Sequence, residues 1–128
     1  MGDAIAVQPG AVENALAAML ADPVPERDLS TKAYRPTLRA TRFVRTRDQR
    51  CRLPGCRRKA AATDLDHADP WPHGRTSPDN LHCLCRHHHR AKQSGLFTVH
   101  LAPDGTTIWT MKRTSQKYRN PPPDLTAS

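Results

Sequence analysis

The sequence has few large apolar residues, and this scarcity limits the kind of fold that it can form. Leucine, isoleucine, valine and phenylalanine together number 20 of the 128 residues, and aromatic residues make up 5% of the chain. Chains that combine so few of these residues with a high net charge do not fold by hydrophobic burial alone. We therefore expect either extensive disorder or a small core that is held by something else, such as a structural metal ion.

The sequence also lacks a long hydrophobic run. Residues 11–21 are apolar, but the segment is too short to span a membrane, it includes Glu13, and no basic segment precedes it as in a signal peptide. Ala6 stands where a myristoylation motif needs Ser or Thr. We expect a cytoplasmic protein with no membrane partner. Thiols stay reduced in that compartment, so the four cysteines indicate metal binding rather than disulfides.

Acidic residues are outnumbered: the chain has 12 of them against 20 Lys and Arg, which gives a net charge of +8. The imbalance is concentrated between Arg35 and Lys59, where ten residues are basic and Asp48 is the one acid. Such a block indicates a polyanionic partner, nucleic acid first. The alternative is a solvated face in an arginine-rich protein.

Local patterns divide the chain into a lead-in (residues 1–33) with one helix expected at 11–21, a domain (34–118) and a disordered, proline-rich tail (119–128). Within the domain they predict a basic helix at 37–48, a strand at 64–69, a strand at 81–85 that leads into a helix at 86–93, and a hairpin of strands 97–101 and 106–111. A competing interpretation starts the second helix at Pro78, with Ser77 as its N-cap.

Two close pairs of metal-ligating residues lie far apart in the chain. Cys51 and Cys56 flank a Pro-Gly turn, and Cys85 and His88 are three residues apart where a strand enters a helix. Two such pairs can converge on one tetrahedral zinc ion. His88 has the helical spacing from Cys85 that this requires, which leaves His89 on another face of the helix. We expect Cys83 to be packed rather than ligating.

Residues 64–74 (DLDHADPWPHG), 79–81 (DNL) and 84–92 (LCRHHHRAK) resemble the HNH endonucleases, a branch of the ββα-metal nucleases. Together with residues 34–56 and the predicted hairpin, they resemble the C-terminal HNH domain of a large actinobacterial family over residues 34–118. That family carries a long helical region before the nuclease domain, whereas about 33 residues precede it here. The resemblance implies an α+β fold: a zinc-stapled ββα-metal finger with a preceding basic helix and a following β-hairpin.

The resemblance also implies roles for four residues. His67 would be the general base that activates water, and Asn80 would fix the geometry of the His67 segment. Asp66 and His89 would hold a catalytic Mg²⁺ or Mn²⁺ ion. Alone, each of these side chains has an ordinary structural explanation, such as the turn-forming role of Asn. We expect the remaining histidines to be surface or packing residues; they are His73, His82, His87 and His100.

Basic side chains on both predicted helices are candidates for phosphate contacts, which give affinity without sequence specificity. They are Arg39, Arg42, Arg45, Arg86, Arg90 and Lys92. We expect Trp71 and Trp109 to pack on the zinc module rather than to stack on bases.

The sequence thus predicts a metal-dependent endonuclease that hydrolyses DNA with low sequence specificity. One alternative is a zinc-dependent nucleic-acid-binding module whose catalytic set is vestigial. Another is a structural or protein-interaction zinc module. The sequence leaves the oligomeric state open.

Overall fold

The computed structural model describes residues 29–125, which form an α+β fold. In this part of the chain there are two α-helices, α1 (Leu38–Asp48) and α2 (Arg86–Gln93). The strands are β1 (Thr63–His67), β2 (Leu81–Cys85), β3 (Phe97–Leu101), β4 (Thr107–Met111) and β5 (Lys117–Asn120). The predicted α+β class is therefore confirmed. Residues 1–28, which include the helix predicted at 11–21, lie outside the described residues. Among the described residues, no helix has the length and apolar character that crossing a membrane requires.

A short antiparallel hairpin followed at once by a helix forms the centre of the fold. β1 pairs with β2 so that Asp66 lies opposite His82 and His67 lies opposite Leu81. Helix α2 begins at the residue after β2, as the first of the two interpretations predicted. Pro78, the start of the competing helix, begins a single 3₁₀ turn (Pro78–Asn80) before β2 instead.

Helix α1 covers one face of this hairpin. Its N-cap is Thr37, whose hydroxyl oxygen accepts a hydrogen bond from the Ala40 amide at 3.1 Å. Phe43 and Val44 are buried on the helix and form a small cluster with Leu81 and other residues of the hairpin region. The predicted helix is confirmed to within one residue.

A buried carboxylate connects the last turn of α1 to β2 through hydrogen bonds. Asp48 is fully buried and accepts hydrogen bonds from Arg47 Nε at 2.7 Å and from the backbone amide of Cys83 at 2.9 Å. Arg47 also donates to the carbonyl oxygen of Leu81 at 2.7 Å. The guanidinium of Arg52, itself buried, lies 3.9 Å from the same carboxylate. The single acid of the basic block is therefore a structural counter-ion.

Replacing Asp48 with alanine is expected to lower the free energy of unfolding by about 3–5 kcal/mol, because two buried guanidiniums would lose their anion. Urea denaturation of the zinc-loaded protein measures this. Asp79→Asn is the control: it keeps the oxygen that accepts from Ser77 and removes the charge from an ion pair with Arg75 whose two side chains are more than half exposed, so it should cost less than about 1 kcal/mol. An equal loss of unfolding free energy in the two variants would show that the buried carboxylate stabilises the fold no more than an exposed one.

The second sheet has three antiparallel strands in the order β3-β4-β5. The predicted hairpin corresponds to β3 and β4, and their turn uses Gly105 at a φ of 91°. Strand β5 was not predicted, because its exposed, mostly polar residues show no alternating pattern. Trp109 on β4 is fully buried in a second cluster, whose members are Cys51, Leu84, Cys85, Phe97 and Trp109.

The tail is attached to the fold. β5 continues to Asn120, so the strand includes the first two residues of the segment expected to be disordered. Asn120 and Arg52 exchange two hydrogen bonds of 2.7 Å, and Leu125 packs against the first cluster. The boundary predicted at residue 119 therefore falls inside a strand.

Candidate metal and catalytic centre

Four side chains converge between the loop after α1 and the start of α2. They are the predicted zinc ligands, Cys51, Cys56, Cys85 and His88, and their ligand atoms all lie within 4.8 Å of one another. Nδ1 of His88 is 3.2 Å from the Cys85 sulfur and 3.7 Å from the Cys51 sulfur. Donor atoms of a tetrahedral zinc site lie about 3–4 Å apart. The Cys₃His cluster can therefore hold a metal ion such as zinc.

Burial disfavours an ionised Cys51 unless a cation lies nearby. Burial raises the pKa of the Cys51 thiol to about 12, so its thiolate would be costly without a positive charge nearby. The fourth cysteine, Cys83, is also fully buried, but it packs in the cluster between α1 and the hairpin. This placement agrees with the expectation that Cys83 is packed rather than ligating.

Asp66 and His89 meet at a different face of α2 from the one that carries His88. Nε2 of His89 lies 3.2 Å from Oδ1 of Asp66. Because His88 and His89 are neighbours on one helix, they point to different faces, as the helical spacing predicted. Burial alone would raise the pKa of Asp66, but hydrogen bonds from His82 and His89 outweigh it and hold the pKa well below its usual range.

Two partners of this pair were not predicted as site residues. Oδ2 of Asp64 lies 2.9 Å from Nδ1 of His89, the ring nitrogen that does not face Asp66. His82 is fully buried, and its Nε2 lies 2.8 Å from Oδ2 of Asp66. Both positions follow from strand geometry: Asp64 is two residues before Asp66, and His82 is its cross-strand partner. Hydrogen bonds of this kind hold an imidazole ring and a carboxylate in fixed orientations.

Lys92 also contacts the Asp66–His89 pair and its neighbours. Its Nζ lies 2.8 Å from Oδ2 of Asp66 and donates to the carbonyl oxygen of His67 at 3.0 Å. Its side chain is 15% exposed. Lys92 was predicted to contact phosphate, whereas the structure places its charge against the Asp66 carboxylate.

His67 is buried at the end of β1 beside this pair. Its Nε2 lies 2.8 Å from the hydroxyl oxygen of Thr76, and that hydroxyl donates to the carbonyl oxygen of Tyr34 at 3.4 Å. A hydroxyl that donates to a carbonyl is free to accept from Nε2–H, which leaves the lone pair on Nδ1. Burial lowers the pKa of His67, so the neutral ring is favoured.

Asn80 closes the loop that follows His67. Its side-chain oxygen accepts from the Asp69 amide at 2.9 Å, and its side-chain nitrogen donates to the carbonyl oxygens of Asp69 and Arg75 at 2.9 and 2.8 Å. Its own carbonyl oxygen accepts from Ala68 at 2.8 Å. Asn80 therefore holds both ends of the loop that follows His67.

A basic groove of about 640 Å³ lies along one side of the pair. Its walls include Tyr34, Asp64 and His89 and four arginines, which are Arg35, Arg45, Arg86 and Arg90. Three of these arginines were predicted to contact nucleic acid, and Arg35 was not. The remaining two predicted residues, Arg39 and Arg42, are exposed on α1 but do not line this groove. Arg86 pairs with Asp64 through two contacts, of 2.8 and 3.1 Å.

A second cleft, of about 480 Å³, opens on the other side of His89 and is lined by Asp66, His67 and Trp71 among others. Trp71 is 41% exposed and lies against Tyr34 rather than on the zinc module. Trp109, in contrast, is buried in the cluster that contains Cys51 and Cys85. The packing expected of both tryptophans is therefore observed for Trp109 alone.

The chain is similar to longer proteins of Mycobacterium tuberculosis. "Uncharacterized protein Rv2100" and "Uncharacterized protein Rv3776", both of strain ATCC 25618 / H37Rv, are 52% and 51% identical to it over 79 residues. Each match covers 60% of this chain and 14% or 15% of the relative. The chain thus corresponds to a small part of each relative's length. No family model matches the chain, and no solved structure matches it.

Proposed function

We propose that this domain is a metal-dependent endonuclease of the HNH type that hydrolyses phosphodiester bonds in DNA. The observation that carries the proposal is the meeting of Asp66 and His89, 3.2 Å apart, beside His67 and at the edge of a groove lined by four arginines. A positively charged groove attracts the phosphate backbone, and the polar group at its edge is placed to act on it.

The donor atoms of Asp66 and His89 fit a divalent ion. One carboxylate oxygen and one imidazole nitrogen lie 3.2 Å apart, and neighbouring ligands of an octahedral Mg²⁺ or Mn²⁺ ion lie about 3 Å apart. Nδ1 of His89 is held by Asp64, which fixes the ring and leaves Nε2 for the ion. When bound, such an ion supplies positive charge that stabilises the phosphorane-like transition state and the leaving oxygen.

The protein's own side chains would transfer the proton, position the base and bind the phosphates. His67 takes the proton of the attacking water on Nδ1, because Thr76 occupies Nε2. Asn80 holds the loop that follows His67, and thereby fixes the position of the imidazole. Arg86 and Arg90 bind the phosphates that flank the cleaved bond. The expected products carry a 5′-phosphate and a 3′-hydroxyl.

A plasmid-nicking assay with the zinc-loaded protein tests the proposal. We expect supercoiled plasmid to be converted to nicked or linear forms when Mg²⁺ or Mn²⁺ is added, and to stay intact without an added divalent ion. Intact plasmid in both ions, together with a gel shift, would replace this proposal with the binding-module alternative. Intact plasmid with no gel shift at physiological salt would favour the protein-interaction module.

The double variant Arg35→Ala, Arg90→Ala is expected to weaken DNA binding and to reduce the salt dependence of binding. Each lost phosphate contact should flatten the slope of log K against log salt by about 0.9. Fluorescence anisotropy across a salt series measures the slope. The control is Arg113→Ala, Arg119→Ala, which removes the same charge from exposed residues outside the groove lining. An unchanged slope in the groove variant would show that DNA phosphates do not bind in this groove.

A further inference from the structure

Two aromatic side chains are exposed next to the candidate base. Tyr34 is 55% exposed and Trp71 is 41% exposed. Their ring centroids lie 5.6 Å apart at 84°, and the Tyr34 ring lies 5.2 Å from the His67 ring. Large apolar side chains exposed singly are common on proteins, but a pair of aromatic rings beside a reactive group is not explained by chance exposure.

The backbone around these rings is tied down. The indole nitrogen of Trp71 donates to the carbonyl oxygen of Lys32 at 3.3 Å, and the segment before Tyr34 is joined to the loop after Trp71 by a hydrogen bond from Thr31 to Thr76 of 3.0 Å. The two rings are therefore held in place while a large part of their surface faces solvent. Aromatic faces that are both fixed and exposed suit the stacking of another planar ring.

The charges around the rings indicate which planar group would stack there. Tyr34 lines both the arginine groove and the cleft that contains His67 and Trp71. A nucleic-acid strand whose phosphates follow the arginines would bring its bases to these rings. Bases inside a duplex stack on one another, so only an unpaired base offers a free face.

We propose that Tyr34 and Trp71 form a platform on which an unpaired base stacks against the face of one ring and contacts the edge of the other, because the rings are nearly perpendicular. The substrate at this site is then a single-stranded segment of nucleic acid. The inference rests on the proposed function for the class of ligand, since it assumes that the groove binds phosphates. It goes beyond the proposed function because it assigns base contacts to two residues and specifies single-stranded rather than double-stranded nucleic acid. The platform does not read the sequence, because every base has a face that can stack.

A binding experiment separates bases from phosphates. The probes are a fluorescein-labelled oligothymidine and an oligonucleotide of equal length in which abasic sites replace the central nucleotides. The zinc-loaded protein is used without added Mg²⁺ or Mn²⁺, so that binding is measured apart from cleavage. We expect the oligothymidine to bind about tenfold more tightly than the abasic probe, because stacking contributes free energy that phosphates cannot.

The variants Trp71→Leu and Tyr34→Leu keep apolar bulk and remove the aromatic face, so each should reduce the difference between the two probes. Trp71→Phe should restore most of it. Tyr118→Leu is the matched control: Tyr118 is 44% exposed on β5, away from both clefts. A variant that weakens binding of both probes equally would show that the rings act through the fold alone, and the platform would be withdrawn.

Equal affinity of the wild-type protein for the two probes would also overturn the platform, even if the plasmid assay shows cleavage. Tighter binding of duplex than of single strand, with no effect of Trp71→Leu, would overturn the single-strand assignment. If neither probe binds, both the groove and the platform fail. If the probes are discriminated but neither the plasmid nor the oligothymidine is cut in Mg²⁺ or Mn²⁺, the platform stands and the nuclease proposal fails.

Discussion

Replacing Cys85 with alanine is expected to unfold residues 34–118 at room temperature. The described part of the chain has two small clusters of buried apolar residues, and Cys51 and Cys85 are members of the second. Binding of a structural zinc ion contributes about 10–16 kcal/mol in small zinc domains at neutral pH. That is comparable to or larger than the net stability of about 5–15 kcal/mol that is typical of a folded domain, so loss of the ion should leave no stable fold.

Circular dichroism and a stoichiometric zinc assay measure this effect. Cys83→Ala is the matched control, because it removes the same atom from an equally buried cysteine outside the Cys₃His cluster. It should bind one zinc ion and unfold cooperatively, with a loss of about 1–2 kcal/mol for the small cavity. Complete chelation of the wild-type protein should reproduce the Cys85→Ala result. A chelated protein that keeps a cooperative unfolding transition would contradict a zinc-dependent fold.

Replacing His67 with alanine is expected to reduce plasmid cleavage by about 10²–10⁴-fold, which is the usual contribution of a general base. The loss should appear in the rate of cleavage with bound DNA, while DNA affinity and zinc content stay unchanged. His67→Gln gives a second variant of similar bulk, since the imidazole is buried and alanine leaves a cavity. Single-turnover kinetics in Mg²⁺ measure the rate.

His100→Ala is the control for a histidine that is exposed on β3, and it should cut at the wild-type rate. Thr76→Ser should also retain cleavage, because serine keeps the hydroxyl that contacts Nε2 of His67, whereas Thr76→Val should reduce it. Full cleavage by His67→Gln would show that His67 is not the general base. Another group near Asp66 would then have to take the proton from water.

Local sequence signals were sufficient for most of the fold. The start of the first helix near Thr37 and the glycine turn at Gly105 are each contained in a few residues, and the structure has an element boundary at each. The start of the second helix was left open between Pro78 and Arg86, and the structure places it at Arg86. Strand β5 could not be found in this way. Its pairing with β4 is a tertiary contact, and its own residues are polar.

The candidate site was predictable in the same uneven manner. The ligand pairs could be read from spacing, because a helix and a turn fix which neighbours point together. Asp64 and His82 needed the register of the β1–β2 hairpin, which spacing alone does not supply. Thr76 and Tyr34 reach His67 from segments whose paths depend on tertiary contacts. Lys92 carried the right charge, but its partner proved to be Asp66 rather than a phosphate.

The order β1, β2, α2 has an evolutionary consequence. The candidate base, the candidate metal-binding pair Asp66 and His89, and two members of the Cys₃His cluster all lie within residues 64–89. A unit built from such local contacts is expected to fold quickly, and an ion bound to the Cys₃His cluster would stabilise it without a large shared interior. Such a unit is portable: it can be carried by a much longer chain without drawing on that chain's core.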